Sequence, residues 1–117
     1  MQLKTNSGLG TVSISNAVIA DIAGAVASGC YGVVGMASRS MTDGIVKLLK
    51  KSDISKGIGV VVQDNGIVVD IHIIVEYGVN INAICKSIVN RVRYSLESNV
   101  GLKVSRINVK VEGVRAD

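Results

Sequence analysis

Asn65-Gly66 is the feature that most limits what this chain can fold into. It lies between two runs of alternating aliphatic residues, Ile58 to Gln63 and Ile67 to Val75. A two-residue type I′ turn needs φ > 0 at both central positions, which Asn and Gly tolerate best. The pattern therefore predicts a hairpin in which Asp64 faces Ile67, Val62 faces Val69, Val60 faces Ile71 and Ile58 faces Ile73. Side chains alternate along a strand, so these apolar residues share one side of the ribbon. The other side carries Val61, Gln63, Val68, Asp70, His72 and Glu76.

Past Glu76-Tyr77-Gly78 the period changes. Ile81, Ile84, Cys85, Ile88, Val92 and Leu96 recur at helical spacing, with Lys86, Asn90, Arg91, Arg93 and Glu97 off that stripe. Asn80 or Asn82 is placed to cap this helix, because an Asn side chain accepts from a first-turn N–H that has no helical partner. Earlier in the chain, Gly10 to Ile14 reads as a short strand and Ser15 or Asn16 as the cap of a helix to about Ser28. Val18, Ile19, Ile22 and Val26 form its apolar stripe, and its remainder is small, including Ala20 and Gly24. Val33 to Ala37 reads as a glycine-interrupted strand, where Gly35 signals a bulge or a close approach. Thr42 or Asp43 is placed to cap a short helix over 44–51 with Ile45, Leu48 and Leu49 inward, in the most basic part of the chain. Val104 to Val111 alternates again, with Ile107, Val109 and Val111 toward the core and Arg106, Asn108 and Lys110 away from it.

The expected fold is α+β: a two-layer, mostly antiparallel sheet with two main helices packed on one face and a short basic connecting helix. A length of 117 residues suits one domain over 1–117, with no appended domain expected. No run of about 18 apolar residues is present, and MQLKTNSG lacks the apolar segment of a signal peptide.

Chemistry is scarce. Gly29, Gly32 and Gly35 follow a helix, whereas phosphate-binding glycines join a strand to the next helix. One His and two distant Cys, Cys30 and Cys85, give no zinc spacing and read as buried thiols. Asp70 and His72 lie two apart on one strand face, about 7 Å between Cα atoms, an arrangement known from general bases. They come with no nucleophile and no oxyanion donor, and alternating charges are ordinary on an open antiparallel face. No catalytic residue, metal or cofactor is expected.

Two binding readings remain. The first is a surface for protein contacts, comprising Ala20 and Gly24 on the first helix and Val61, Val68, Asp70, His72, Arg106 and Lys110 on the open sheet face. The second is a basic contact through Arg39, Lys47, Lys50 and Lys51, which with Arg91 and Arg93 could meet nucleic-acid phosphates. A net charge of +4 without Phe or Trp weighs against nucleic acid, since base stacking uses aromatic platforms.

With those residues laid out, the chain resembles the alkaline-shock, or envelope stress response, protein family of Gram-positive bacteria. GTVSIS, YGVVGMASR, IHIIVEYGVNI and VSRINVKVEGV carry the likeness, in order and across almost the whole chain. The resemblance implies a small, non-catalytic cytoplasmic domain linked to envelope and alkaline stress. Larger relatives self-assemble and are held at the inner face of the membrane by small membrane-protein anchors. This chain lacks their long charged extensions and is similar to the short, single-domain branch. The expected partners are thus further copies of itself and other proteins, a membrane-anchored one among them. Membrane contact is expected to be indirect, and nucleic acid is the disfavoured partner.

Overall fold

The computed structural model describes residues 2–7, 10–38, 48–49 and 51–115, with side chains described from Ser15 onward except at Lys51 and Ser52. Its elements are β1 (Gln2–Ser7), β2 (Gly10–Ser15), α1 (Asn16–Ser28), β3 (Val33–Met36), a 3-10 helix (Lys51–Gly57), β4 (Ile58–Gln63), β5 (Gly66–Glu76), α2 (Ile81–Tyr94), a π-helical turn (Ser95–Asn99) and β6 (Val104–Arg115).

β5 is the centre of the main sheet because both of its faces and both of its edges are used. Ile67, Val69, Ile71, Ile73 and Val75 are fully buried on one face. β6 runs parallel along one edge, from Ile67↔Val104 to Glu76↔Arg115. β4 and β3 pair antiparallel with β5, at Gly66 to Ile71 and at Ile73 to Val75. A strand has two edges, so β3 and β4 must share the one that β6 leaves, lying end to end. The β5–β6 pairing is parallel because α2 carries the chain back to the starting end, as such a crossover requires. The architecture is the expected α+β, with α1 and α2 on the buried face: Ile19, Ala23, Ile84 and Ile88 join the β5 residues in one core.

The hairpin register differs from the turn-based expectation by two residues. Ile58 pairs with Ile71, Val60 with Val69 and Val62 with Ile67, and the strands close at Gln63↔Gly66. The tight turn is therefore Asp64-Asn65, and Gly66 is the first residue of β5. A slip of two keeps every side chain on its expected face. Gly66 adopts φ 130°, and a Cβ there would lie 2.6 Å from the main-chain oxygen of Lys103 at the entry to β6. The glycine thus answers to the neighbouring strand as well as to the turn.

Both caps follow the sequence. Ser15 Oγ accepts from the Val18 N–H at 3.3 Å, and Asn80 Oδ1 accepts from the Ala83 N–H at 3.1 Å. Arg91 and Arg93 occupy the last turn of α2, where the helix dipole favours cations. Asn80→Ala is expected to lower unfolding free energy by about 1 kcal/mol, and Asn80→Gly by only a few tenths. Urea titration checks both, and an unchanged stability of Asn80→Ala would mean that the cap contributes nothing.

α1 packs by a face broader than its large residues suggest: Ile22 and Val26 of the expected stripe pack partly buried against the core, and the small residues beside them pack there too. Ile19, Ala20, Ala23, Gly24 and Ala27 are buried, whereas Val18 is 47% exposed. A Cβ on Gly24 would come within 3.3 Å of the Ile54 carbonyl oxygen, so the small side chains let the 3-10 helix approach. β1 pairs with β2 in a separate antiparallel ribbon, Gln2↔Ser15 through Ser7↔Gly10. QLKTNS holds one large apolar residue and gives no strand signal of its own. The ladder between β3 and β5 shifts between Val33 and Gly35, the irregularity that the interior glycine signals. The short basic helix expected over 44–51 lies mostly outside the described residues. Where the described chain resumes, Leu48 bridges Ala37 and the Leu49 N–H donates to the Met36 carbonyl at 2.8 Å.

Candidate functional site

β6 lies beside β5 and so assembles the open sheet face from three strands. Across it run the rows Val61–Val68–Arg106, Asp70–Asn108 and His72–Lys110. All six sheet residues singled out in the sequence share this face. Val61 is 50% exposed and His72 8%; Arg106 and Lys110 are exposed, and Val68 and Asp70 are half-buried. Ile74 is also buried on this side.

The Asp70–His72 arrangement of a general base does not form. Asp70 Oδ1 instead accepts from Asn108 Nδ2 at 2.8 Å. His72 Nδ1 lies 3.4 Å from Glu112 Oε2. Asp70 and His72 are thus each turned to a neighbour on β6 rather than to a common reacting point. Glu112 is the residue that sequence reasoning missed. Extending the alternation of Arg106, Asn108 and Lys110 by one step would have placed it here.

Ala20 and Gly24 do not join this surface: both are buried against the chain's own core. Of the basic candidates, Arg39, Lys47 and Lys50 lie outside the described residues, and Lys51 opens the 3-10 helix without a described side chain. Arg93 is engaged internally, donating from Nη1 to the Val104 carbonyl at 2.9 Å. It lies 3.6 Å from Glu97, whose Oε2 accepts from the Val104 N–H at 3.3 Å. This clamp holds the start of β6. Arg91 remains exposed on α2.

No group of three or more metal-ligating side chains occurs among the described residues. Both cysteines are free thiols, and burial pushes the Cys85 thiol above its ordinary pKa. A raised pKa keeps it protonated at neutral pH and a poor nucleophile. Hollows of about 330, 450 and 400 Å³ border α1, away from the open sheet face. No described helix is long and apolar enough to cross a membrane.

What the sequence pattern does not disclose is an aromatic end to the sheet. Tyr31 is 85% exposed, Tyr77 76%, Val114 52% and Ile81 42%. The Glu76 N–H donates to the Gly32 carbonyl, and the Tyr77 N–H to the Arg115 carbonyl. Those bonds gather the turn carrying Tyr31, the turn carrying Tyr77 and the end of β6 at one place. A patch of exposed large apolar side chains is more informative than any one of them singly.

Comparison with known proteins gives a consistent answer. The chain is 38% identical over 116 residues to the uncharacterized protein YloU of Bacillus subtilis, covering 98% of this chain and 97% of that one. It is 40% identical over 116 residues to the uncharacterized protein Spy1614 of Streptococcus pyogenes serotype M6, covering 98% and 96%. A third relative, the uncharacterized protein YqhY of B. subtilis, is 34% identical over 93% of this chain and 80% of its own length. No solved structure matches. Residues 4–116 match the model of one family, and the chain accordingly belongs to the alkaline shock protein 23 family, described by a cell envelope-related function.

Proposed function

We propose that this protein is a non-catalytic protein–protein interaction or scaffold module in cell-envelope homeostasis, and that it self-associates. One contrast carries the reading. The described polar groups that could have done chemistry are turned to partners inside the fold, Asp70 to Asn108 and Arg93 to Val104. Large apolar side chains, by contrast, remain exposed together at the Tyr31–Tyr77 end. Exposed Tyr is an economical contact residue: it offers large area and a hydrogen-bonding tip with little rotamer entropy to lose. The family's envelope-related function supplies the setting. In this reading the protein works on the cytoplasmic side and meets the membrane only through a membrane-anchored partner.

Light scattering after size exclusion, at low and high salt with the nucleic-acid absorbance ratio followed, tests the proposal. The expected result is a dimer or larger species at both salt concentrations, free of nucleic acid. A monomer that carries nucleic acid at low salt and sheds it at high salt would overturn it, since such release marks phosphate contacts.

A further inference from the structure

The outer edge of β6 offers a specific seam for the self-association just proposed, and the inference rests on that reading. Among the described residues β6 pairs with β5 alone. The β5–β6 register shifts at Ser105 and at Glu112, which leaves a regular run at 106–111 between them. Main-chain direction along this run follows from two hydrogen bonds. The Ile67 N–H donates to Lys103 and the Tyr77 N–H to Arg115, both across the β5–β6 edge. The N–H and C=O of one residue point to the same edge and alternate along a strand. Odd-numbered β5 residues therefore face β6. With Val69 opposite Ile107 and Ile71 opposite Val109, the main-chain groups of Ile107, Val109 and Val111 are turned outward.

We propose that two copies of the chain pair through this edge, β6 antiparallel to β6, about a two-fold axis at Val109. Val109 then faces its own copy, Ile107 faces Val111, Asn108 faces Lys110 and Arg106 faces Glu112. An interface on a two-fold axis must be complementary to itself, and charge selects this register. Moving the axis to Asn108 sets Arg106 against Lys110, and moving it to Lys110 sets that lysine against itself. Of the axes that pair most of the regular run with itself, the one at Val109 keeps like charges apart, and it places Arg106 against Glu112 at the edge of the run. Opposite charges directly across an antiparallel pair are stabilising and like charges are not. Glu112 is held on the open face by His72 and keeps part of its side chain, 20%, exposed.

A second observation converges on the same residue. A hollow of about 250 Å³ sits where α2 meets the β6 edge, lined by Cys85, Lys86, Val89, Asn90 and Val109. The axis residue lines it, so a second copy brings an identical apolar hollow to the same place, and each covers the other. Cationic side chains on an edge strand commonly serve only to keep other strands away. Here they come with a carboxylate at the position that a two-fold partner requires.

Sedimentation equilibrium on the full chain decides between those roles. Arg106→Glu and Glu112→Arg are each expected to raise the dimer dissociation constant about tenfold, because each turns two opposite-charge pairs per dimer into like-charge pairs. An equimolar mixture of the two variants is expected to recover the wild-type constant, since every altered charge then meets its opposite. Amide exchange at Ile107, Val109 and Val111 should slow as wild-type concentration rises. Recovery in the mixture also shows that both variants are folded. Single variants that weaken the dimer without recovering on mixing would overturn this register. A dimer indifferent to both substitutions, with exchange at Val109 independent of concentration, would overturn the β6 seam and leave self-association to another surface. A wild-type chain that stays monomeric to millimolar concentration would remove the seam and the self-association reading together.

Discussion

Gly66→Ala is expected to destabilise the fold by about 3 kcal/mol, although it adds one methyl group to a residue beside a surface turn. Two costs combine. The φ of 130° is a conformation that side-chain-bearing residues occupy only at about 1–3 kcal/mol. The new Cβ would also lie 2.6 Å from the Lys103 oxygen and 3.2 Å from the Ser105 nitrogen. Those are main-chain atoms, so relief requires moving the entry to β6 rather than turning a rotamer, and overpacking of this kind costs about 1–3 kcal/mol. The Ile67 N–H donates to the same Lys103 carbonyl at 2.9 Å, so that shift also strains the first bond of the parallel ladder. Urea unfolding with an unchanged slope would measure the loss. A loss below about 1 kcal/mol would mean that the two strands part easily at this point and that the Lys103 carbonyl does not constrain Gly66.

Ile71→Ala is expected to cost about 2–5 kcal/mol, the range for cavities opened in tightly packed cores. Ile71 is fully buried and lies in the middle of β5, paired with Ile58 on one side and with Val109 on the other. Three strands and the helix layer meet around it, so few neighbours can move in to fill the space. Val61→Ala, at a half-exposed site on β4, provides the contrast and should stay within about 0.5 kcal/mol. Differential scanning calorimetry of the two variants checks the difference. Similar losses at the two sites would show that burial on β5 does not dominate the stability of the sheet. Against a total of about 5–15 kcal/mol for a domain, the loss at Ile71 alone takes a large fraction.

The parts of the fold that sequence disclosed are those set by local pattern. α2 was legible because Ile84, Ile88, Val92 and Leu96 keep helical spacing and Asn80 precedes them. The faces of β4, β5 and β6 were legible because strand alternation survives a register shift of two. The register itself was not, since Asn65-Gly66 satisfies a local turn rule while the Lys103 carbonyl acts on Gly66 from 37 positions away (103 minus 66). The small-residue part of the α1 packing face was hidden for another reason. Ala20, Ala23, Gly24 and Ala27 carry little hydrophobic signal, and their value lies in the closeness they allow to Ile54. The parallel union of β5 and β6 has no local mark in either strand. The open sheet face was legible residue by residue, but its pairings were not: only the placement of β6 turns Asp70 toward Asn108 and His72 toward Glu112. The exposed end around Tyr31 and Tyr77 is assembled by main-chain bonds between distant turns, which no window of sequence contains.

The central position of β5 has a further consequence during synthesis on the ribosome. β3, β4 and β5 leave the ribosome before β6, and β5 then has one edge filled and the other bare until β6 has been made. Translation of the intervening stretch, Tyr77 to Arg115, takes roughly 2–8 s at about 5–20 residues per second. For that interval the nascent chain presents a run of Ile and Val with unpaired main-chain groups, the kind of edge on which strands of other chains add. α2, which emerges next with its own cap, can settle on the greasy face of the sheet before β6 arrives. The bare edge, rather than the apolar face, is then the part of the unfinished protein that most needs a chaperone's cover.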